Sequence, residues 1–144
     1  MRLDTLKSRT LLALATLVAL LPLTAGARAE PQVLVELFTS QGCSSCPAAD
    51  KLLGELAKDP SILTMSLSVD YWDYLGWKDT LADARFSARQ KAYSHVRGDR
   101  NLYTPQMIVN GSAQVIGSDR ASIESAIKTT GKNDGVMSVP VTMT

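Results

Sequence analysis

Residues 33–38 (V-L-V-E-L-F) form a nearly continuous apolar run, and a four-residue turn leads from it into Cys43-Ser44-Ser45-Cys46. Such a run marks a strand covered on both faces, as in parallel sheets; its one charge is Glu36. Residues 43–58 then read as a helix. Pro47 suits a first turn, Ala49, Leu52, Leu53 and Leu56 make one apolar stripe, and Pro60 follows the end. Residues 62–69 alternate well enough for a second strand. Strand, helix, strand at this spacing implies a right-handed parallel crossover.

An acidic and aromatic stretch, residues 70–79, is expected to be irregular. Thr80 and Asp83 are predicted to form a capping box for a helix with Ala82, Phe86, Tyr93 and Val96 on one face, stopping near Gly98. The Thr104-Pro105 step opens a strand at 106–109, and Asn110-Gly111 turns it into a short partner at 114–116. A last helix is expected from Ser118 or Asp119, burying Ile123, Ala126 and Ile127 and ending before Gly131. The fold class is therefore α/β: a central mixed four-stranded sheet flanked by helices, in the order β-α-β-α-β-β-α.

The first 29 residues have the three parts of a secretory signal peptide. Arg2, Lys7 and Arg9 precede a seventeen-residue uncharged apolar run, residues 11–27, broken by Pro22 and closed by Ala25-Gly26-Ala27 and Ala27-Arg28-Ala29. Cleavage is expected after Ala29. An uncleaved anchor is the rival, but seventeen residues barely span a bilayer and two small-residue sites overlap at the boundary. The expected organisation is a leader at 1–29, a domain at 30–131 and a tail at 132–144. That tail holds a candidate strand, 136–143, interrupted by Pro140. The whole chain carries 15 basic and 14 acidic residues; loss of the leader leaves eleven against thirteen. Nonspecific nucleic-acid binding has no electrostatic basis at that charge, and contact with a membrane is expected only during export. A secreted or periplasmic domain of this length buries enough surface to do without disulfide stapling, so the two cysteines are free for chemistry.

A CxxC pair where a helix follows a buried strand suits dithiol chemistry, because unpaired backbone N–H groups and the helix dipole favour a thiolate there. A free cysteine titrates near about 8.5, and such a setting lowers this to roughly 3.5–7.5. Cys43 is the candidate nucleophile, and Cys46, one turn into the helix, the resolving thiol. Two other readings stay open. A permanent disulfide would close so short a loop that it adds little stability. Two soft thiolates could instead hold Cu(I), with Met107 as a further soft ligand; zinc, which wants four ligands, fits poorly in a chain with one histidine.

The order of elements over residues 33–129 resembles the thioredoxin fold. More narrowly, V-E-L-F-T-S-Q-G-C-S-S-C-P-A-A-D, V-D-Y-W-D-Y-L-G-W-K-D, Y-T-P-Q-M-I-V-N-G and G-S-D-R, in that order, resemble an uncharacterised family of bacterial secreted thioredoxin-like proteins. The resemblance implies fold and compartment more firmly than substrate. Members of that family are longer, with β-structure after the thioredoxin portion, so the 132–144 tail reads as the remnant of a longer β region. Many carry a histidine where this chain has Ser68.

The thioredoxin resemblance further implies a cis Pro105 beside the CxxC, with the Thr104 backbone pairing to an extended substrate. It also implies that Glu36, seven residues before Cys43, is a buried acid exchanging protons with the resolving cysteine, the alternative being a carboxylate at an exposed strand end or one paired with a Lys or Arg. Tyr71, Trp72, Tyr74 and Trp77 fall within seven residues, amid Asp70, Asp73 and Asp79, after a strand's C-terminal end. Trp72, Trp77 and Asp70 are therefore candidates for a substrate groove, the alternative being a loop pinned to the core by its rings. His95, among Arg89, Lys91, Arg97 and Arg100, reads as part of a solvated helical face.

The function these features point to is exported thiol–disulfide exchange with a thiol- or disulfide-bearing protein or small molecule. No bound cofactor is required. Related dithiols span about −270 to −120 mV, and Ser44-Ser45 does not fix the value. The alternatives are a Cu(I)-handling protein using the same thiolates and a noncatalytic binding module on the same scaffold. The sequence has no Ser-His-Asp order, phosphate loop or glycine fingerprint that would support a hydrolase or nucleotide-binding reading. It leaves oligomeric state open.

Overall fold

The computed structural model describes residues 32–131. The expected leader, and the tail with its candidate strand, lie outside the described residues. The elements run β1 (Val33–Thr39), α1 (Cys46–Leu56), β2 (Ile62–Ser68), a 3-10 turn (Asp73–Leu75), α2 (Ala84–Arg97), β3 (Gln106–Val109), β4 (Ala113–Ile116) and α3 (Arg120–Thr130). The sheet order is β2-β1-β3-β4. β1 pairs with β2 in parallel and with β3 antiparallel, and β3 pairs with β4 antiparallel. This is the mixed four-stranded α/β sheet of thioredoxin-like order read from the sequence. Asn110 and Gly111 both adopt positive φ, 49° and 66°, so the β3–β4 reversal uses two residue types that tolerate that conformation.

Alternation along the strands sorts the core into two layers. Val33, Val35 and Leu37 of β1 pack with Met107 and Val109 of β3 against Ala49, Leu52 and Leu53 of α1 and Ile123 and Ala126 of α3. Phe38 and Ile108 face the other way, joining Leu67, Val69, Phe86 and Tyr93 under α2. β1 is central and covered on both sides, which is why its sequence is almost unbroken by polar residues.

Two helices depart from the sequence reading at their starts. α1 begins at Cys46, not Cys43, because the Cys43 carbonyl accepts the Cys46 N–H at 3.2 Å in a tight turn and Ser45 is the capping residue. Pro47, lacking an N–H, follows in the first turn, where none is needed. α2 begins at Ala84, and Asp83 is its cap rather than the third residue of a box starting at Thr80: its carboxylate accepts the Arg85 N–H at 2.8 Å. Ala82 precedes the helix, and Val96 is 86% exposed. The face α2 buries is centred on Gln90 and Ser94. Gln90 is tolerated there because its amide N–H groups reach the Tyr103 carbonyl at 2.8 Å and Gln106 Oε1 at 2.9 Å, while its own Oε1 accepts from the Tyr71 hydroxyl. α3 starts where expected, with Asp119 accepting the Ser122 N–H.

Candidate functional site

Cys43 and Cys46 are joined in a disulfide, with their Cα atoms 5.4 Å apart. Cys43 lies in the turn and Cys46 is the first residue of α1, so the pair straddles the helix start. Cys46 has no solvent exposure and Cys43 has 4%, so both are buried and Cys43 is slightly the more accessible residue. Ser45 makes no side-chain cap bond and the first turn of α1 holds no acidic residue. The positive end of the helix is thus left unneutralised beside Cys43.

The turn before Cys43 is tied down from behind. Its Gln41 N–H donates to Asp79 Oδ2 at 2.8 Å, while Asp79 Oδ1 accepts the Leu81 N–H. The Gly42 N–H donates to Ser40 Oγ, and the Cys43 N–H to the Ser40 carbonyl. Asp79 is almost wholly buried, and its own N–H donates to Asp73 Oδ1. The acid that shapes this turn is therefore Asp79, which nothing in the local sequence pattern singles out from its acidic neighbours.

On one flank lies the Thr104–Pro105 peptide, which is cis. The Trp72 indole N–H donates to Thr104 Oγ1 at 2.8 Å. A Cβ placed on Gly42 would come within 3.3 Å of Trp72 Cβ. Trp72 therefore spans from the turn before Cys43 to the residue before Pro105. Pro105 is buried and packs toward α1: a Cβ on Gly117 would meet Pro105 Cβ at 3.0 Å, Ala49 Cβ at 3.1 Å and Leu37 Cδ1 at 2.9 Å. Trp72 thus links the turn before Cys43 to Thr104, and Pro105 lies near Ala49 in the first turn of α1.

The other expected site residues are dispersed. Trp77 is 61% exposed, as are Tyr74 and Leu75 to similar or greater extent, whereas Tyr71 and Trp72 pack against the α2-side core. The aromatic stretch splits into an anchored half and a solvent-facing half. Asp70 ties the end of β2 to α2, accepting the Ser87 hydroxyl and donating its own N–H to Ser87 Oγ at 3.1 Å. His95 is exposed on α2, beside Lys91 and Arg100.

Glu36 requires a correction. It is wholly buried as expected, yet it lies between Val35 and Leu37, which face α1, and so points to the opposite side of the sheet. There it accepts from Arg89 Nε at 2.5 Å and from the Tyr93 hydroxyl, both on α2. Burial, then the hydrogen bond to Glu36, pushes the Tyr93 phenol up to about 12. Glu36 is a partner of α2, separated from the disulfide by the sheet.

On the other flank of Cys43 is a cleft of about 240 Å³ that sequence reasoning missed. Thr39, Ser40 and Gln41 from the end of β1, Ser66 and Ser68 from β2, Pro47 and Asp50 from α1, and Leu81 line it together with Cys43. Thr39 donates its hydroxyl to Asp50 Oδ1 at 2.9 Å. The available signal was the spacing Cys46-Pro-Ala-Ala-Asp50, four residues apart on one helix, which brings two side chains onto one face. Ser68, at the end of β2, is one of the buried residues of this cleft. Met107, considered as a soft metal ligand, is wholly buried in the apolar layer under α1 and α3. Among the described residues, no three His, Cys, Asp or Glu side chains gather into a metal-binding cluster.

These features define an α/β protein of thioredoxin-like order with a disulfide-bonded Cys-Ser-Ser-Cys at the start of its first helix. The chain belongs to the DUF1223 family, proteins of unknown function, whose model matches residues 34–144. It is also similar to a protein from Agrobacterium tumefaciens whose structure was solved by X-ray crystallography, with 40% identity and a TM-score of 0.68. That match covers 74% of this chain and 48% of the other, so this chain spans about half the length of its relative. No curated protein matches the sequence.

Proposed function

We propose that the protein is an exported thiol–disulfide oxidoreductase in which Cys43 exchanges with a thiol or disulfide of a protein or small molecule and Cys46 completes the exchange. The observation that carries this reading is the Cys43–Cys46 bond at an unneutralised helix start, with the less buried cysteine lining a cleft. In the reduced protein the backbone N–H groups of the first turn of α1 favour charge on Cys43 over Cys46. The thiolate attacks one sulfur of a substrate disulfide and expels the other. Cys46 then attacks Cys43, forming the internal bond and releasing the remaining substrate sulfur. The reverse sequence delivers the disulfide to a substrate dithiol. Trp72, Thr104 and Pro105 form the wall against which an extended substrate would lie. The chemistry needs no resident cofactor, and the expected leader at 1–29 supports export to an oxidising compartment.

Trapping tests the proposal. Cys46→Ser in the full chain removes the resolving thiol, so Cys43 should accumulate as mixed disulfides visible as adducts on nonreducing gels of the exported fraction. Absence of adducts from well-expressed, folded protein overturns the reading.

A further inference from the structure

Whichever way exchange runs, the thiol of Cys46 must lose or gain a proton, and this side chain has no contact with solvent. The acid expected to serve it, Glu36, is on the far side of the sheet. Leu37, the β1 side chain facing α1 beside it, is apolar and wholly buried. Asp50 meets the requirement instead. It follows Cys46 by four residues on α1, so the two side chains share one face of the helix. The Thr39 hydroxyl fixes one of its oxygens at 2.9 Å; the second has no partner among the described residues. Asp50 also opens onto the cleft that Cys43 lines, which gives a proton a route to water.

The charged surroundings leave this carboxylate unopposed. Among the described residues, Asp50 is the single charged side chain lining the cleft; β1 contributes Thr39, β2 contributes Ser66 and Ser68, and the loop after the aromatic stretch contributes Leu81. Asp79, on that loop, has both oxygens committed to the Gln41 and Leu81 N–H groups. No Lys or Arg forms an ion pair with Asp50 among the described residues.

We propose that Asp50 is the proton acceptor for Cys46, an assignment that rests on the dithiol reading above. Once Cys43 is bonded to a substrate sulfur, the Cys46 S–H gives its proton to the Asp50 carboxylate. The freed electron pair on Cys46 attacks Cys43 Sγ, the Cys43–substrate bond breaks, and the departing thiolate is protonated from the cleft. The substrate disulfide gains two electrons and two protons; the protein dithiol loses them. In the opposite direction the Asp50 carboxyl protonates Cys46 as the internal bond opens.

The test follows both steps in one trace. Reduced full-length protein mixed with dithiodipyridine releases one equivalent of thiopyridone when Cys43 attacks and a second when Cys46 resolves. Asp50→Asn keeps an oxygen for Thr39 and removes the proton acceptor. The second phase should slow about 100-fold near pH 6, the scale of positioned acid–base catalysis. The deficit should narrow as pH rises, because hydroxide then competes with the missing carboxylate as proton acceptor. The first phase should change far less, and Asp50→Glu should restore part of the second. A second phase unchanged by both substitutions at every pH, in a wild type that releases both equivalents, overturns the assignment alone. A wild type that releases neither equivalent overturns the dithiol reading and the assignment with it.

Discussion

Replacing Gly117 with alanine tests whether Pro105 and α1 are held together as one site. Three carbons lie 2.9, 3.0 and 3.1 Å from where the new methyl group would sit, against an optimum of about 3.5–4.0 Å between carbons. Leu37 and Ala49 are wholly buried and Pro105 is buried, so relief by side-chain rotation is open only to Leu37. Overpacking of this kind costs about 1–3 kcal/mol, and three simultaneous contacts place Gly117→Ala near the top of that range. Loss of unfolded-chain freedom returns about 0.4–1 kcal/mol, leaving a net destabilisation of about 2 kcal/mol. For a domain near this size each kcal/mol moves Tm by about 4–8 °C, so the fall should be on the order of 10 °C. Urea unfolding with an unchanged slope, together with the thiopyridone assay, reads the effect; both stability and exchange rate should drop as Pro105 is pushed off α1. Gly54→Ala is the control. It lies within α1 with nothing within 4 Å of the added methyl, and should stabilise by about 0.5–1 kcal/mol. An unchanged midpoint for Gly117→Ala would refute the close packing of Pro105, Ala49 and Leu37.

Glu36→Gln should lower stability by about 1–3 kcal/mol, because a buried charge-assisted acceptor for Arg89 and Tyr93 is lost, and should leave the pH profile of exchange unmoved; a shifted profile would reinstate Glu36 at the dithiol. Trp72→Phe removes the indole bond to Thr104 and should cost about 0.5–1.5 kcal/mol with slower mixed-disulfide formation, measured by urea unfolding and by the first thiopyridone phase. The hydrogen bonds from Arg85 hold the Asp83 carboxyl down to about 2, against an ordinary 3.8. Because the folded state lowers this value, the contribution is present above about pH 4 and is lost as pH falls toward about 2. Asp83→Asn keeps a competent cap and should flatten the acid limb of a urea-midpoint series; an identical limb would show that the Asp83–Arg85 pair contributes nothing.

The sheet and its order were readable because hydrophobic periodicity is a backbone-scale signal: a central strand covered on both faces must be apolar throughout, as residues 33–38 are. The site was less readable, for three separable reasons. Glu36 failed on parity, since a seven-residue spacing from Cys43 said nothing about which face of β1 it occupies. Along α2, Phe86 and Tyr93 pack on the core as read, but the helix also buries Gln90, a polar residue satisfied by partners distant in sequence, while the apolar Val96 is exposed. The cleft beside Cys43 failed because its lining comes from four separate segments, and only the Cys46–Asp50 spacing was local enough to have been noticed. Trp72 could be selected as an aromatic near the site, whereas its bond to Thr104, 32 residues away, belongs to tertiary structure alone.

The most direct measurement is alkylation of each cysteine by iodoacetamide in the native full chain after dithiothreitol treatment, without denaturant, resolved by mass across pH. The expected result is that the disulfide opens in the folded protein and Cys43 is labelled well ahead of Cys46, with a midpoint below about 8.5. A disulfide that opens only when the protein is unfolded, or two cysteines labelled at equal rates, would contradict thiolate chemistry at Cys43.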